Sequence, residues 1–199
     1  MTTPDPGALE LSTLVEQRFA QSMAVPEAFF AREEEQIARA CWAMARRFHQ
    51  GGRLLAFGNG AAATDAQHVA VEFVHPVIVG KRALPALALS NASADSGSTS
   101  PFAHRLQVLG RPQDIAMGFS LADNCANVLA GIAEAKRMGM LTLCLTGESG
   151  ELTREIAPDF LFRVSSRDPL AVQETHETLY HILWELVHIF FEHAGLLSA

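Results

Sequence analysis

Five short, largely apolar runs punctuate the sequence, at 54–57, 84–89, 115–119, 141–145 and 160–164. Runs this short without polar alternation predict strands buried on both faces, and such strands belong to parallel sheets with helices on either side. The chain is expected to be α/β, with a five-stranded, parallel, doubly wound sheet of the flavodoxin-like kind. Ligands of such sheets lie beyond the carboxyl ends of the strands. The loops after Phe57, Leu89, Phe119 and Leu145 are therefore where a site is expected.

Helical periodicity fills the spaces between the runs. From 9 to 50, Leu11, Leu14, Val15, Phe19 and Met23 form one apolar stripe, and Phe29, Phe30, Ile37, Cys41, Met44 and Phe48 continue it until Gly51-Gly52. Pro26 suits the first turn of a second helix. Further helices are expected at 61–74, 124–138 and 170–193, and the Ser/Ala/Asp-rich stretch 90–100 reads as a loop. The last helix carries two apolar faces. Leu179, Ile182, Leu183, Leu186, Ile189 and Phe190 share one side, and Tyr180, Trp184 and Phe191 cluster opposite. One face docks on the sheet. The aromatic face needs a second cover, from the N-terminal helices or from another subunit, and a homo-oligomer is expected.

Composition narrows the function classes. The 199 residues are 49% hydrophobic and 19% charged, which excludes a disordered chain. With 15 Lys and Arg against 22 Asp and Glu the net charge is −7, so no nucleic-acid partner is expected. Cys41, Cys125 and Cys144 are odd in number and lack a CxxC spacing, which speaks against disulfides and a cysteine zinc site. The first residues carry no secretory pattern, and the apolar end of the chain is interrupted by His181, Glu185, His188, Glu192 and His193. No membrane partner and a cytoplasmic location are the expectation.

Three constellations can carry chemistry. Gly58-Asn59-Gly60 follows the first strand and opens onto a helix, where backbone N–H groups can meet an anion, although the same residues make an ordinary turn. His68 and Glu72 lie four apart on that helix and share a face, fit for a metal ion, an acid/base pair or a plain surface pair. Gln173 and His181 lie eight apart on a similar face of the last helix. His75 precedes Pro76, where that helix should end, and His176 points away from the Gln173 face.

Taken together these residues resemble a sugar-isomerase (SIS) domain of the sedoheptulose-7-phosphate (phosphoheptose) isomerase branch. The similarity lies in Gly58-Asn59-Gly60, Asp65-Ala66-Gln67-His68 with Glu72, and Val172-Gln173-Glu174-Thr175-His176 with His181. Ala126-Asn127-Val128, Gly139-Met140 and Leu145-Thr146-Gly147 extend it, so that it covers about 10–194. The resemblance implies a three-layer αβα sandwich with N-terminal helices that help build a homotetramer. It divides the chain into a flexible tail (1–8) and a single SIS domain (9–199), with oligomerisation helices at 9–50 and the αβα core at 51–199. It implies one zinc ion per subunit on His68, Glu72, Gln173 and His181, with Glu72 as base and His181 as acid in an aldose–ketose isomerisation. Asn59, Gly60, Ser120, Asn124 and Gln173 would bind the sugar phosphate.

The departures from the family concentrate where phosphate would sit. Ala61-Ala62-Ala63 replaces a Gly-Ser-type continuation. Ser120-Leu121-Ala122-Asp123-Asn124-Cys125 replaces a loop of the form S-T-S-G-N-S, losing hydroxyls and gaining a carboxylate that disfavours a phosphate beside it. The stretch between the second and third strands is shorter than the family's, and Pro76 stands where an arginine is expected. Three readings follow: an isomerase with an altered phosphate grip, a metal-dependent binder of an unphosphorylated ligand, and a non-catalytic SIS scaffold working through a protein partner. A pure scaffold has no need of four polar residues drawn from two distant helices.

Overall fold

A computed structural model describes residues 6–89, 100–121, 125–148 and 155–197. The elements in chain order are α1 (Pro6–His49), β1 (Leu54–Gly58), α2 (Ala61–Val74), β2 (Ala86–Leu89), α3 (Pro101–Leu109), β3 (Ile115–Ser120), α4 (Ala126–Arg137), β4 (Leu141–Thr146), β5 (Phe160–Arg163) and α5 (Pro169–Glu192). All five strands pair in parallel in the order β2-β1-β3-β4-β5, the flavodoxin-like arrangement. Strands appear in all five apolar runs. The second begins only at Ala86, with Pro85 before it accepting a hydrogen bond from Leu54 N at 2.9 Å.

Two apolar cores flank the sheet, as the two-residue side-chain period of a strand requires. Leu54, Ala56, Met117, Phe119, Leu143 and Leu145 face one core with residues of α1, α2 and α5. Leu55, Phe57, Ala116 and Cys144 face the other, which α3 and α4 close with Phe102, Leu106, Val128 and Ile132. The result is a three-layer sandwich.

Two features of α1 and α5 differ from the sequence reading. The N-terminal segment is one helix of 44 residues running through Pro26, and it starts at Pro6, inside the stretch expected as tail. Proline is tolerated there because a helix can bend to absorb a lost i−4 bond, and packing on the rest of the chain outweighs the local penalty. The aromatic face of α5 is covered within the chain. Tyr180 and Trp184 are 1% and 6% exposed and reach α2, where Trp184 Nε1 donates to Glu72 O at 2.9 Å. The apolar surface left over lies elsewhere, on the first half of α1: Leu11, Leu14, Val15, Phe19 and Met23 are each 58–68% exposed. Arg18, between them in sequence, pairs with Asp168 and with Glu174, tying this half of α1 to the start of α5.

Among the described residues, no helix is long and apolar enough to cross a membrane. Cys41, Cys125 and Cys144 are free thiols.

Candidate active site

β1 and β3 lie side by side and their connections leave toward opposite faces of the sheet, which opens the crevice typical of this topology. The turn after β1 is dictated by its glycines. A Cβ at Gly58 would lie 2.6 Å from Ala62 O, and Gly60 holds φ at 56°, a left-handed conformation that side chains rarely adopt. Gly60 caps α2 without a side-chain hydrogen bond, so the first turn of α2 presents its backbone donors. Asn59 reaches across the crevice to Asn127 at the start of α4. The two amides exchange hydrogen bonds of 2.6 and 3.1 Å, and Asn127 Oδ1 also accepts from Val128 N at 3.0 Å. Ser120 ends β3 and is buried. Asn124 and Asp123 lie outside the described residues.

α2 runs back from this crevice beside α5, and their facing sides bring the sequence-predicted residues together. His68 and Glu72 come from α2, and His181 comes from α5. Glu72 Oε1 lies 2.9 Å from His181 Nε2 and 3.5 Å from His68 Nε2. Tyr180 OH lies 2.8 Å from His68 Nδ1, which orients that ring. Glu72 is mostly covered while both histidines are open to solvent. Burial raises the Glu72 carboxyl above its ordinary value, the nearby His68 opposes this, and the charge of Glu177 adds to it. Glu72 Oε2 is buried and makes no hydrogen bond to the described residues.

Gln173 of α5 meets the first turns of α2. Its amide nitrogen donates to Asp65 Oδ1 at 2.9 Å, Thr64 Oγ1 at 3.2 Å and Ala61 O at 3.3 Å. A further residue of α5 that joins the histidines is Glu177. One ligand atom from each of His68, Glu177 and His181 falls within 4.8 Å of the others. Sequence reading had not selected Glu177, although its place was legible: it stands four residues before His181 and four after Gln173, on the same side of the helix.

Asp65 is the second carboxylate that the sequence reading left out of the site. It is 3% exposed, and burial pushes its carboxyl up to about 6 against the hydrogen bond from Gln173. Its Oδ2 has no partner among the described residues. Two other histidines are structural. His188 is held between Trp184 O at 2.8 Å and Arg82 O at 2.9 Å. His176 is fully buried beside Phe119 and the Thr146 backbone, and burial holds it near 4, so it stays neutral.

The donor set between α2 and α5 suits a borderline divalent cation. Two imidazoles and one or two carboxylates are zinc ligands, and three protein ligands leave a position for water or substrate. The buried, unpartnered Glu72 Oε2 fits such a group, since an ion beside it would offset its desolvation.

Comparison with known proteins places this geometry. The family model described as "SIS domain" matches residues 18–147. The phosphoheptose isomerase of Thermodesulfovibrio yellowstonii is 36% identical over 193 residues, covering 92% of this chain and 95% of its own. That of Aquifex aeolicus is 34% identical over 180 residues, covering 87% and 94%. The solved phosphoheptose isomerase structure from Neisseria gonorrhoeae superposes with a TM-score of 0.80 at 28% identity, covering 89% of this chain and 98% of that one. The five-stranded parallel sheet, the glycine turn after β1 and the facing histidines of α2 and α5 thus sit in a chain that belongs to the SIS-domain family, in its phosphoheptose isomerase branch.

Proposed function

We propose that this protein is a zinc-dependent phosphosugar isomerase that interconverts a ketose and an aldose, with sedoheptulose 7-phosphate or a close relative as substrate. Relatives more than a third identical over nearly the whole chain support the isomerase class. The observation that carries the chemical reading is the half-open cluster in which one covered carboxylate, Glu72, touches both histidines.

Aldose–ketose isomerisation moves a proton between two adjacent carbons and a second proton between their oxygens. The first step needs a base whose proton affinity is raised toward the working pH. Burial gives Glu72 that property. Glu72 takes the proton from the carbon beside the carbonyl, and the electron pair moves to the carbonyl oxygen. His181, 2.9 Å from Glu72, is placed to deliver a proton to that oxygen. The resulting enediol then collapses as His181 takes the proton of the other hydroxyl and Glu72 returns its proton to the neighbouring carbon. Zinc held on His68, Glu72, Gln173 and His181 would act as a Lewis acid on the developing oxyanion, in place of the proton from His181. Gln173 and Asn59, with the backbone of Gly60, would hold the sugar and its phosphate at the crevice.

The eroded loop after β3 sets a direct test of the substrate. Replacing Leu121, Ala122, Asp123 and Cys125 by Thr, Ser, Gly and Ser removes one carboxylate and supplies hydroxyls. Affinity for sedoheptulose 7-phosphate, read by calorimetry, is expected to rise at least about tenfold, or 1.4 kcal/mol. Tight binding by the native loop, unchanged by the swap, shows that another group holds the phosphate. Stabilisation by unphosphorylated sugars alone, in a thermal-shift screen, transfers the assignment to the metal-dependent binder.

The exposed stripe on α1 supports a homo-oligomer, with a tetramer as the expected state and the helix at 9–50 as its interface. Light scattering should give a species well above the 21.5 kDa chain. The double change Leu14→Glu and Phe19→Glu should shift it toward monomer, because each buried apolar side chain is worth about 1.5–3 kcal/mol. A wild-type monomer at micromolar concentration refutes the oligomer.

A further inference from the structure

An aromatic ring is wedged between the sheet and the two histidines. Tyr180 stands next to His181 in the chain and is 1% exposed. Its ring packs edge-on against three others, Phe119 of β3, His68 of α2 and His181, with centroids 6.0, 5.4 and 5.0 Å away. That packing fixes the ring, and the ring fixes its hydroxyl. A buried tyrosine hydroxyl needs a hydrogen-bond partner, and the partner here is His68 Nδ1 at 2.8 Å. Among the described residues the hydroxyl makes no other hydrogen bond. Its neighbours on the covered side of α5, Leu179, Leu183 and Val187, are plain hydrocarbons, so packing alone does not call for an oxygen at this position.

The two nitrogens of the His68 ring have different surroundings. Nε2 lies 3.5 Å from Glu72 Oε1, the atom that His181 Nε2 approaches from the other helix at 2.9 Å. The Nε2 atoms of both histidines therefore converge on one carboxylate oxygen, while Nδ1 of His68 faces the buried hydroxyl. A neutral imidazole carries one hydrogen, and only its bare nitrogen can ligate a metal. Which nitrogen is bare is set by the hydrogen bond that the other one makes. Glu177 Oε1 is 3.6 Å from Nδ1, beyond hydrogen-bonding distance, on a half-exposed side chain. Tyr180 is nearer and held by its packing.

We propose that Tyr180 is a positioning residue for the divalent cation between α2 and α5. Its hydroxyl oxygen accepts a hydrogen bond from Nδ1–H of His68, and this holds the imidazole in the tautomer and orientation that turn a bare Nε2 toward Glu72 and the metal. The inference rests on the zinc reading of the site and deepens it, by naming a residue outside the ligand set that decides how well one ligand binds.

Tyr180→Phe removes one oxygen and leaves the buried ring, so the variant should fold. In zinc titration of the full-length metal-free protein, by competition with a chromogenic chelator, it is expected to bind about 10–100-fold more weakly, the usual effect of losing a partner behind a metal-bound histidine. Leu183→Val trims the same buried layer without removing a hydrogen bond, and should leave zinc affinity unchanged. Nitrogen-15 NMR of the zinc-loaded protein, labelled at histidine, gives a second readout. His68 should carry its hydrogen on Nδ1, slow to exchange with water in the wild type and fast in Tyr180→Phe. Wild-type zinc affinity in Tyr180→Phe, equal losses in Tyr180→Phe and Leu183→Val, or a His68 hydrogen on Nε2 in the loaded wild type overturns the assignment and leaves the zinc site standing. Zinc bound undiminished by the His68→Ala, His181→Ala double variant, or no zinc bound by the wild type, removes the parent reading as well.

Discussion

Glu72→Gln is expected to lower kcat for aldose–ketose interconversion by about 10²–10⁴-fold, the usual contribution of a positioned acid–base group. The amide keeps the size of the side chain and can still hydrogen-bond to His181, so the protein should fold and should still bind sugar phosphate. What it loses is the carboxylate, which the proposed mechanism uses both as base and toward zinc. The sharpest readout is isotopic: in deuterated water the wild type should exchange the hydrogen on the carbon beside the carbonyl, followed by NMR, and the variant should not. His181→Ala should also lower kcat, yet it leaves the base in place, so exchange should survive better than net turnover. Exchange at the wild-type rate in Glu72→Gln would mean that another group abstracts the proton. Asp65, one turn before the cluster with its carboxyl pushed up to about 6, is then the residue to replace next.

Asp65→Asn should stabilise the protein near neutral pH by about 1–3 kcal/mol, the free energy equivalent of a two-unit shift in a buried site. The sign follows from the direction of the shift. Burial pushes the Asp65 carboxyl up to about 6 in the folded chain against an ordinary 3.8, so between those values the folded chain holds the proton and the unfolded chain does not. Stability therefore falls as pH rises through this window and stays lower above it. Asparagine removes the buried charge and still accepts the hydrogen bond from Gln173. Urea unfolding of metal-free protein from pH 4 to pH 8 should show a smaller decline in the variant, with the two curves converging at the acid end. Part of the slope should persist, because burial also raises the Glu72 carboxyl. A variant less stable than wild type at pH 7, or one with the same slope, refutes the picture of an ionised and desolvated Asp65.

Much of the architecture was legible because strand burial leaves a mark in composition. A strand covered on both faces has few positions for a polar residue, so Leu54–Gly58, Ile115–Ser120 and Leu141–Thr146 announce themselves as largely apolar runs. The edge strand β2 was harder to bound, because Pro85 interrupts its run and exposure relaxes the demand for apolar residues. The short helix Pro101–Leu109 was not anticipated, since nine residues give too few turns for a clear period. The glycine turn after β1 and the His68–Glu72 pair were legible because both depend on spacing within a few residues.

What the chain's order of residues determined, then, was local: which segments are strands and helices, and which side chains share a helix face. The contacts between faces were decided by tertiary structure. Nothing in sequence says that α5 turns Glu177 toward His68, or that Gln173 is engaged by Asp65, Thr64 and Ala61. Helix rotation and offset are set by ridges and grooves packing over the sheet, and these depend on the volumes of residues far apart in the chain. The same is true of charge. Asp65 and Glu72 look like ordinary surface carboxylates in the sequence, and it is chiefly burial under a neighbouring helix, with the charge of Glu177 adding to it, that raises their proton affinity.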